Sequence, residues 1–218
     1  MDLTSSFTGA IPPEILERYE WTETRRAAAV MRAAALGEFE ELLRVLGSFR
    51  LDEARDILAR GGNESQTAAV LNKGFRELGW REGEYHETLK TSVKLKPYAT
   101  AGETLGTQKE TIAGTASYAI DNLKGGVALD VEWHAKDGNL DRDLAAYRSL
   151  YDSGAISMAV MITKVRKGLR QLALSLDPTS TKFTTSTTTS LEKVIPRLVR
   201  GDAGGCPVLV VAISRNTA

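Results

Sequence analysis

The chain has 218 residues, with 28 basic and 28 acidic side chains, zero formal net charge and 42% hydrophobic residues. That length supports one substantial core with a helical elaboration beside it, and the neutral balance argues against a uniformly basic nucleic-acid binder. No run of about 18 apolar residues is present to span a bilayer, the N-terminus lacks a secretory signal pattern, and the single Cys206 excludes an internal disulfide or a cysteine metal cluster. The expectation is a cytoplasmic protein with no membrane partner, its cysteine a buried structural thiol.

In chain order, the first 80 residues predict helices. Segments 22–36 (TETRRAAAVMRAAAL), 38–49 (EFEELLRVLGSF), 51–62 (LDEARDILARGG) and 63–80 (NESQTAAVLNKGFRELGW) repeat apolar residues at three- and four-residue spacing. A polar stretch runs to about Thr111, and within it TSVKLKPY (91–98) reads as an edge strand that stops at Pro97. From residue 115 two apolar strands flank Gly125-Gly126, the second of them VALDVEWHA (127–135). A helix follows over 139–154, with Leu140, Leu144, Tyr147 and Tyr151 on one stripe, then a continuous apolar strand AISMAVMIT (155–163). This strand–helix–strand order predicts a right-handed crossover between parallel strands. A helix over 164–176, a polar loop over 177–190, a helix over 191–201 and a last buried strand CPVLVVAIS (206–214) complete the chain. The fold class is α/β: an α/β/α sandwich on a central mixed sheet, with a helical N-terminal part. The prediction is a single domain, 1–218, with a helical subregion over 1–80 and an α/β core over 112–218.

Charge is unevenly spread along this order. Residues 164–200 carry eight cations against two acids, whereas residues 1–60 carry eight arginines against eleven acids. The first of these predicts an anion-facing surface that includes Lys164 and Lys182, with a solvated helix face as the alternative. The TSTTTS run at 185–190 is either a flexible polar loop or a hydroxyl-rich surface, Ser186, Thr187, Thr188, Thr189 and Ser190, for phosphates and base edges.

The least expected residues are acids inside the strands around Gly125-Gly126, since strand interiors disfavour Asp and Glu. A two-residue turn at those glycines sets Lys124 opposite Val127, and counting outward sets Asp121 opposite Asp130. Glu132 emerges two residues beyond Asp130, on the same face. Like charges paired across strands are destabilising. A divalent cation removes the conflict, and Mg²⁺ suits one or two carboxylates with water and phosphate oxygens. Spacing alone leaves open an exposed sheet face answered by cations across the strand. With only His86 and His134, a histidine-rich zinc site is not expected. Among the common motifs, no G-x-S-x-G elbow, Walker loop or G-x-G-x-x-G turn is present.

The run IDNLKGGVALDVEWHAKDGNLDRDLAAYRSLYDSGAISMAVMITK resembles the type II restriction endonucleases of the BglII and BstYI kind, within the PD-(D/E)xK nuclease superfamily. The resemblance rests on Asp121, Asp130, Glu132, Trp133, Lys136, Asp137, Arg142, Asp143 and Leu144, and it extends into both ends of the chain. It implies the restriction-endonuclease-like α/β/α sandwich and a prokaryotic homodimer that hydrolyses double-stranded DNA with Mg²⁺. Asp121 and Asp130 would hold the metal together with the main-chain carbonyl of Val131. Glu132, standing where the superfamily has Lys, would position or deprotonate the attacking water. The segment before Asp121 offers Glu110 for a fourth active-site position. His134, Ala135 and Lys136 would lie on the DNA, and a GATC core is the family-level expectation for the site. Asp130 stands where relatives carry Glu, and Ala135 stands where they carry a polar base-reading side chain. A methyl there cannot form a bidentate contact, which predicts a degenerate position in the recognition site. The competing functions are a structure-specific repair or recombination nuclease of the same superfamily and a DNA-binding module without chemistry.

Overall fold

Gly125 and Gly126 take φ values of +53° and +77°. Two successive positive values make a turn whose twist matches that of antiparallel strands, and glycine adopts them without a Cβ penalty. The turn therefore fixes Lys124↔Val127, Leu123↔Ala128 and Asn122↔Leu129 as pairs, the register expected from the sequence. The computed structural model describes residues 1–58, 66–134, 136–185 and 187–217, and the rest of the fold is built outward from this hairpin.

The order is β1 (Leu3–Thr4), α1 (Phe7–Ala10), α2 (Pro13–Leu16), β2 (Tyr19–Thr24), α3 (Ala27–Ala34) and α4 (Leu36–Ser48). A π-helical turn over Glu53–Leu58 and α5 (Gln66–Glu77) follow. The remainder is β3 (Arg81–Leu95), β4 (Thr107–Lys124), β5 (Val127–Val131), α6 (Asp137–Asp152), β6 (Met158–Lys164), α7 (Arg166–Leu176), α8 (Leu191–Arg200) and β7 (Val208–Ile213). The seven strands form one sheet in the order β1-β2-β7-β6-β5-β4-β3. β5, β6 and β7 run parallel, while β4 and β2 are antiparallel to their neighbours, so the sheet is mixed. With helices on both sides this is the α/β restriction-endonuclease-like fold.

Strand parity divides the core. Val127, Leu129 and Val131 align with Met158, Val160 and Ile162, while Val160 and Ile162 align in turn with Leu209 and Val211, and Lys164 with Ile213; the apolar members form one cluster with α3, α4, α5 and α7. The alternate residues, Asp130 among them, face the other side, where Tyr147 of α6 meets Asp130. The hairpin is tied down on the first side. Asn122 donates to Asn72 of α5 at 2.8 Å, and Lys124 donates to Glu41 of α4 at 2.6 Å and to the Leu78 carbonyl at 2.7 Å.

The chain forms two units, Met1–Gly83 with Ile120–Ala218, and Glu84–Ala119. The second unit is the distal part of the long β3–β4 hairpin. Tyr85 stacks on Tyr118 with ring centroids 6.5 Å apart, and Lys90 pairs with Glu110 at 3.1 Å. The sequence reading placed an edge strand only over 91–98, because this hairpin has no buried face and so shows no apolar alternation. Leu89, Val93 and Leu95 are all more than half exposed.

A second difference lies at 22–24, where a helix was expected and a strand is found. Arg25 and Arg26 both have positive φ, 52° and 55°, and turn β2 sharply into α3. Such values are unfavourable for arginine. The fully buried Glu23 holds the turn in place. Its carboxylate accepts from the Ala28 N–H at 2.8 Å, from Thr4 Oγ1 at 3.1 Å and from the Ser6 N–H. Glu23→Ala leaves these donors without their charged acceptor, each such bond contributing about 1.5–3 kcal/mol. Urea denaturation should therefore show a loss of about 3 kcal/mol or more, and a loss under about 1 kcal/mol would show that the turn does not depend on Glu23.

Candidate active site

Beyond Asn122↔Leu129 the carboxylates take over the hydrogen bonding of the hairpin. The Asp121 N–H donates to Asp130 Oδ1 at 2.7 Å, and the Val131 N–H donates to Asp121 Oδ2 at 3.1 Å. Each acid thus accepts from the opposite strand, and the two side chains lie together as the register requires. Tyr147 donates its hydroxyl to Asp130 Oδ2 at 2.7 Å, so both Asp130 oxygens have a donor. Asp130 is only 6% exposed, which disposes of the alternative of a solvated sheet face.

These bonds do not cancel the cost of burying the charge. Burial, and then the neighbouring Asp121, raise the Asp130 carboxyl from the ordinary 3.8 to about 7. Glu132 is raised as well, first by burial and then by Asp143, Asp130 and Asp121. Asp143, on α6, is in hydrogen-bond contact with Glu132 and is itself pushed up by burial. Among the described residues no donor reaches Glu132 Oε2 or Asp143 Oδ2. Two carboxyl groups so placed hold together by sharing a proton. The site is therefore a four-carboxyl cluster, Asp121, Asp130, Glu132 and Asp143, with a surplus of acceptors.

Asp143 and Tyr147 are the residues that the sequence reading left out of the site. The available signal was an acid within the apolar stripe of α6, at three- and four-residue spacing from Leu140 and Tyr147. Glu110, the expected fourth member, is engaged with Lys90 and Gln108 inside the β3–β4 hairpin.

The donor set bears on a metal directly. Among the described residues no three His, Cys, Asp or Glu side chains are gathered as a ready-made metal cage. Mg²⁺ does not need one, since it takes one or two carboxylates and completes its shell with water and phosphate oxygens. Acceptor oxygens without donors, beside carboxyl groups raised by burial and then by one another, are what a divalent cation would relieve. A hard cation on two carboxylates fits these residues.

The expected DNA-facing residues divide into three groups. His134 and Lys136 are exposed, Thr187 is exposed, and Lys182 and Thr188 are half-buried. The His134 imidazole, crowded by its neighbours although the residue as a whole is exposed, is lowered to about 4 by that desolvation and then by Lys164 and Lys182, so it is neutral at pH 7. Lys136 and Thr188 form an isolated antiparallel bridge, which brings the segment after Glu132 beside the threonine loop. Lys164, Thr189 and Ser190 are corrections, because all three are fully buried and offer no surface to DNA. The cationic run is tied up elsewhere too. Arg170 donates to the Ser180 and Lys182 carbonyls, and Arg197 grips Asp141 at 2.6 and 3.1 Å. Ala135 and Ser186 lie outside the described residues.

A family model described as Restriction endonuclease BglII/BglIII matches residues 19–213. No curated protein matches the chain.

The raised Asp130 carboxyl sets a pH dependence with a definite sign. A carboxyl whose pKa rises on folding binds more protons in the folded state, so its penalty is absent below 3.8 and complete above about 7. Asp130→Asn removes the penalty and should raise the Tm of the metal-free protein at pH 8, by about 2–4 °C per kcal/mol relieved. The gain should shrink to nothing near pH 4. A gain of equal size at both pH values would show that the buried charge of Asp130 is not its source.

Proposed function

Because the chain belongs to the BglII/BglIII restriction endonuclease family, it is a site-specific endodeoxyribonuclease, and we propose that it is a Mg²⁺-dependent type II enzyme. It acts as a homodimer on double-stranded DNA, cutting within a short palindromic site. The observation that carries this reading is the Asp121–Asp130 pair, buried at the end of the hairpin with Glu132 and Asp143 beside it. A fold has no need of four acids in one place, and a DNA-binding module without chemistry gains nothing from them.

In this mechanism Asp121, Asp130 and the Val131 carbonyl would hold the cation. When bound, Mg²⁺ polarises the scissile phosphate and stabilises the charge that develops on it. Tyr147 fixes the Asp130 carboxylate by its bond to Oδ2, so the acid keeps one orientation. Glu132 lies on the same side and, once ionised by loss of the proton it shares with Asp143, takes the proton of the attacking water, which the pair then holds between them. The water oxygen bonds to phosphorus as one sugar–phosphate oxygen leaves. His134 and Lys136 follow directly on the strand and lie along the DNA with Thr187, Thr188 and Lys182. A neutral His134 can both donate to and accept from a base edge. Ala135 leaves one position of the site relaxed, around the GATC core that enzymes of the BstYI kind would share. Two copies of the chain supply the two centres that a palindrome requires.

Asp121→Asn and Asp130→Asn should each reduce single-turnover cleavage of plasmid DNA with Mg²⁺ by about 10³-fold or more, while leaving specific binding within about threefold. The wild type should give a discrete fragment ladder. Cleavage retained in either variant would remove that residue from the metal site, and a smear or branch-specific nicking by the wild type would favour a structure-specific nuclease.

A further inference from the structure

Lys164 is the last residue of β6 and is fully buried. Its ammonium donates to the carbonyl of Trp133 and to that of Thr189, the latter at 2.8 Å, and it stands 5.4 Å from the centroid of the Trp133 ring. Burying an ammonium is unfavourable, and apolar side chains of similar volume commonly replace buried ions without loss of stability. A lysine that served only to fill this space would be a poor choice.

The two carbonyls belong to two different segments. Trp133 is one peptide from Glu132 and directly precedes His134, with Lys136 three residues on. Thr189 directly follows Thr187 and Thr188. The Lys136–Thr188 bridge joins the same two segments a few residues away, and Phe183, from the same loop, packs edge-on against Trp133 with centroids 6.2 Å apart. Lys164 is therefore a staple between the chain leaving the carboxylate cluster and the hydroxyl-bearing loop. A displacement of the loop is felt one residue from Glu132.

We propose that Lys164 is a positioning residue for specificity, tying loop 187–189 to the segment after Glu132 so that the fit of the loop to base edges and the placement of Glu132 are set together. The proposal rests on the reading of these two segments as DNA-facing. Lys164 itself touches neither DNA nor the reacting phosphate. Its effect is on discrimination: a loop that fits the wrong base displaces Trp133, and with it the catalytic carboxylate. Such coupling makes cleavage more selective than binding.

The test uses the full-length protein. Lys164→Met keeps the volume and removes both donated bonds. Thr188→Pro removes an N–H from the bridging segment without touching Lys164, and Thr188→Ala controls for the hydroxyl. Single-turnover rates are measured on the cognate site and on every single-base variant of it, alongside Tm. Since one good base contact discriminates by about 1–3 kcal/mol, Lys164→Met should lower the cognate-to-variant rate ratio about tenfold or more. Thr188→Pro should lower it further than Thr188→Ala does. A merely structural role would lower Tm and leave the ratio unchanged. An unchanged ratio in folded Lys164→Met overturns the proposal. If that variant does not fold, equal ratios in Thr188→Pro and Thr188→Ala overturn it instead. A wild type with no discrete cleavage overturns the underlying reading, and this proposal with it.

Discussion

Asp130 is an acid in a strand buried on both faces, and the surrounding structure is shaped to keep it there. Its two oxygens are held by the Asp121 N–H and the Tyr147 hydroxyl, one from the neighbouring strand and one from the helix of the following crossover. Both partners depend on register. Asp121 reaches Asp130 only because the Gly125-Gly126 turn has no extra residue, and a one-residue slip would send every acid to the other face of the sheet. Tyr147 reaches it only because α6 returns the chain to a parallel neighbour of β5. Even so held, Asp130 remains a weak acid by the standard of aspartates, because burial disfavours its charge and a second carboxylate lies beside it. Burial and charge are opposed at this point, and the hairpin is anchored elsewhere, by Asn72 on Asn122 and Glu41 on Lys124.

The sheet separates two tasks by face. On one side the large apolar cluster supplies the stability of the first unit; on the other the acids gather against α6. Lys164 and Trp133 lie at the parallel end of the first side, where the core gives way to the loop 177–190. Positive charge is used sparingly here. Arg166 and Arg170 donate to carbonyls of that loop and Arg197 is spent on Asp141, so these cations order the protein. Fewer cations of this stretch are therefore at the disposal of a polyanion than composition implies.

What the sequence disclosed, and what it withheld, follow from the range of the interactions involved. The hairpin, the crossover and the last strand were legible because a glycine pair, helical spacing and continuous apolar runs are local signals. The pairing of Asp121 with Asp130 followed by counting. β2 was not legible, since the turn at Arg25-Arg26 is held by a Glu23 that is buried only in the assembled fold, where Thr4 and Ser6 join Ala28 in donating to it. The β3–β4 hairpin was read only in part, because an exposed ribbon has no inside to impose alternation. Asp143 carried part of the family resemblance but was not placed in the site, because only the folded crossover lays it beside Glu132. Lys164 was assigned to the surface on charge alone, and burial is a property of the assembled core, where two carbonyls were waiting for it.

The central claim is that the metal-free cluster holds protons that a divalent cation replaces. Calorimetric titration of Ca²⁺ into the protein at pH 7, in two buffers of different ionisation enthalpy, measures this without any cleavage. Metal binding to carboxyl groups that are partly protonated must release protons. The account predicts heats that differ between the buffers by an amount equivalent to about one proton released per ion bound. That release should disappear in Asp130→Asn. Heats that are the same in both buffers would contradict the account, because the acids would then already be ionised and waiting in the folded protein.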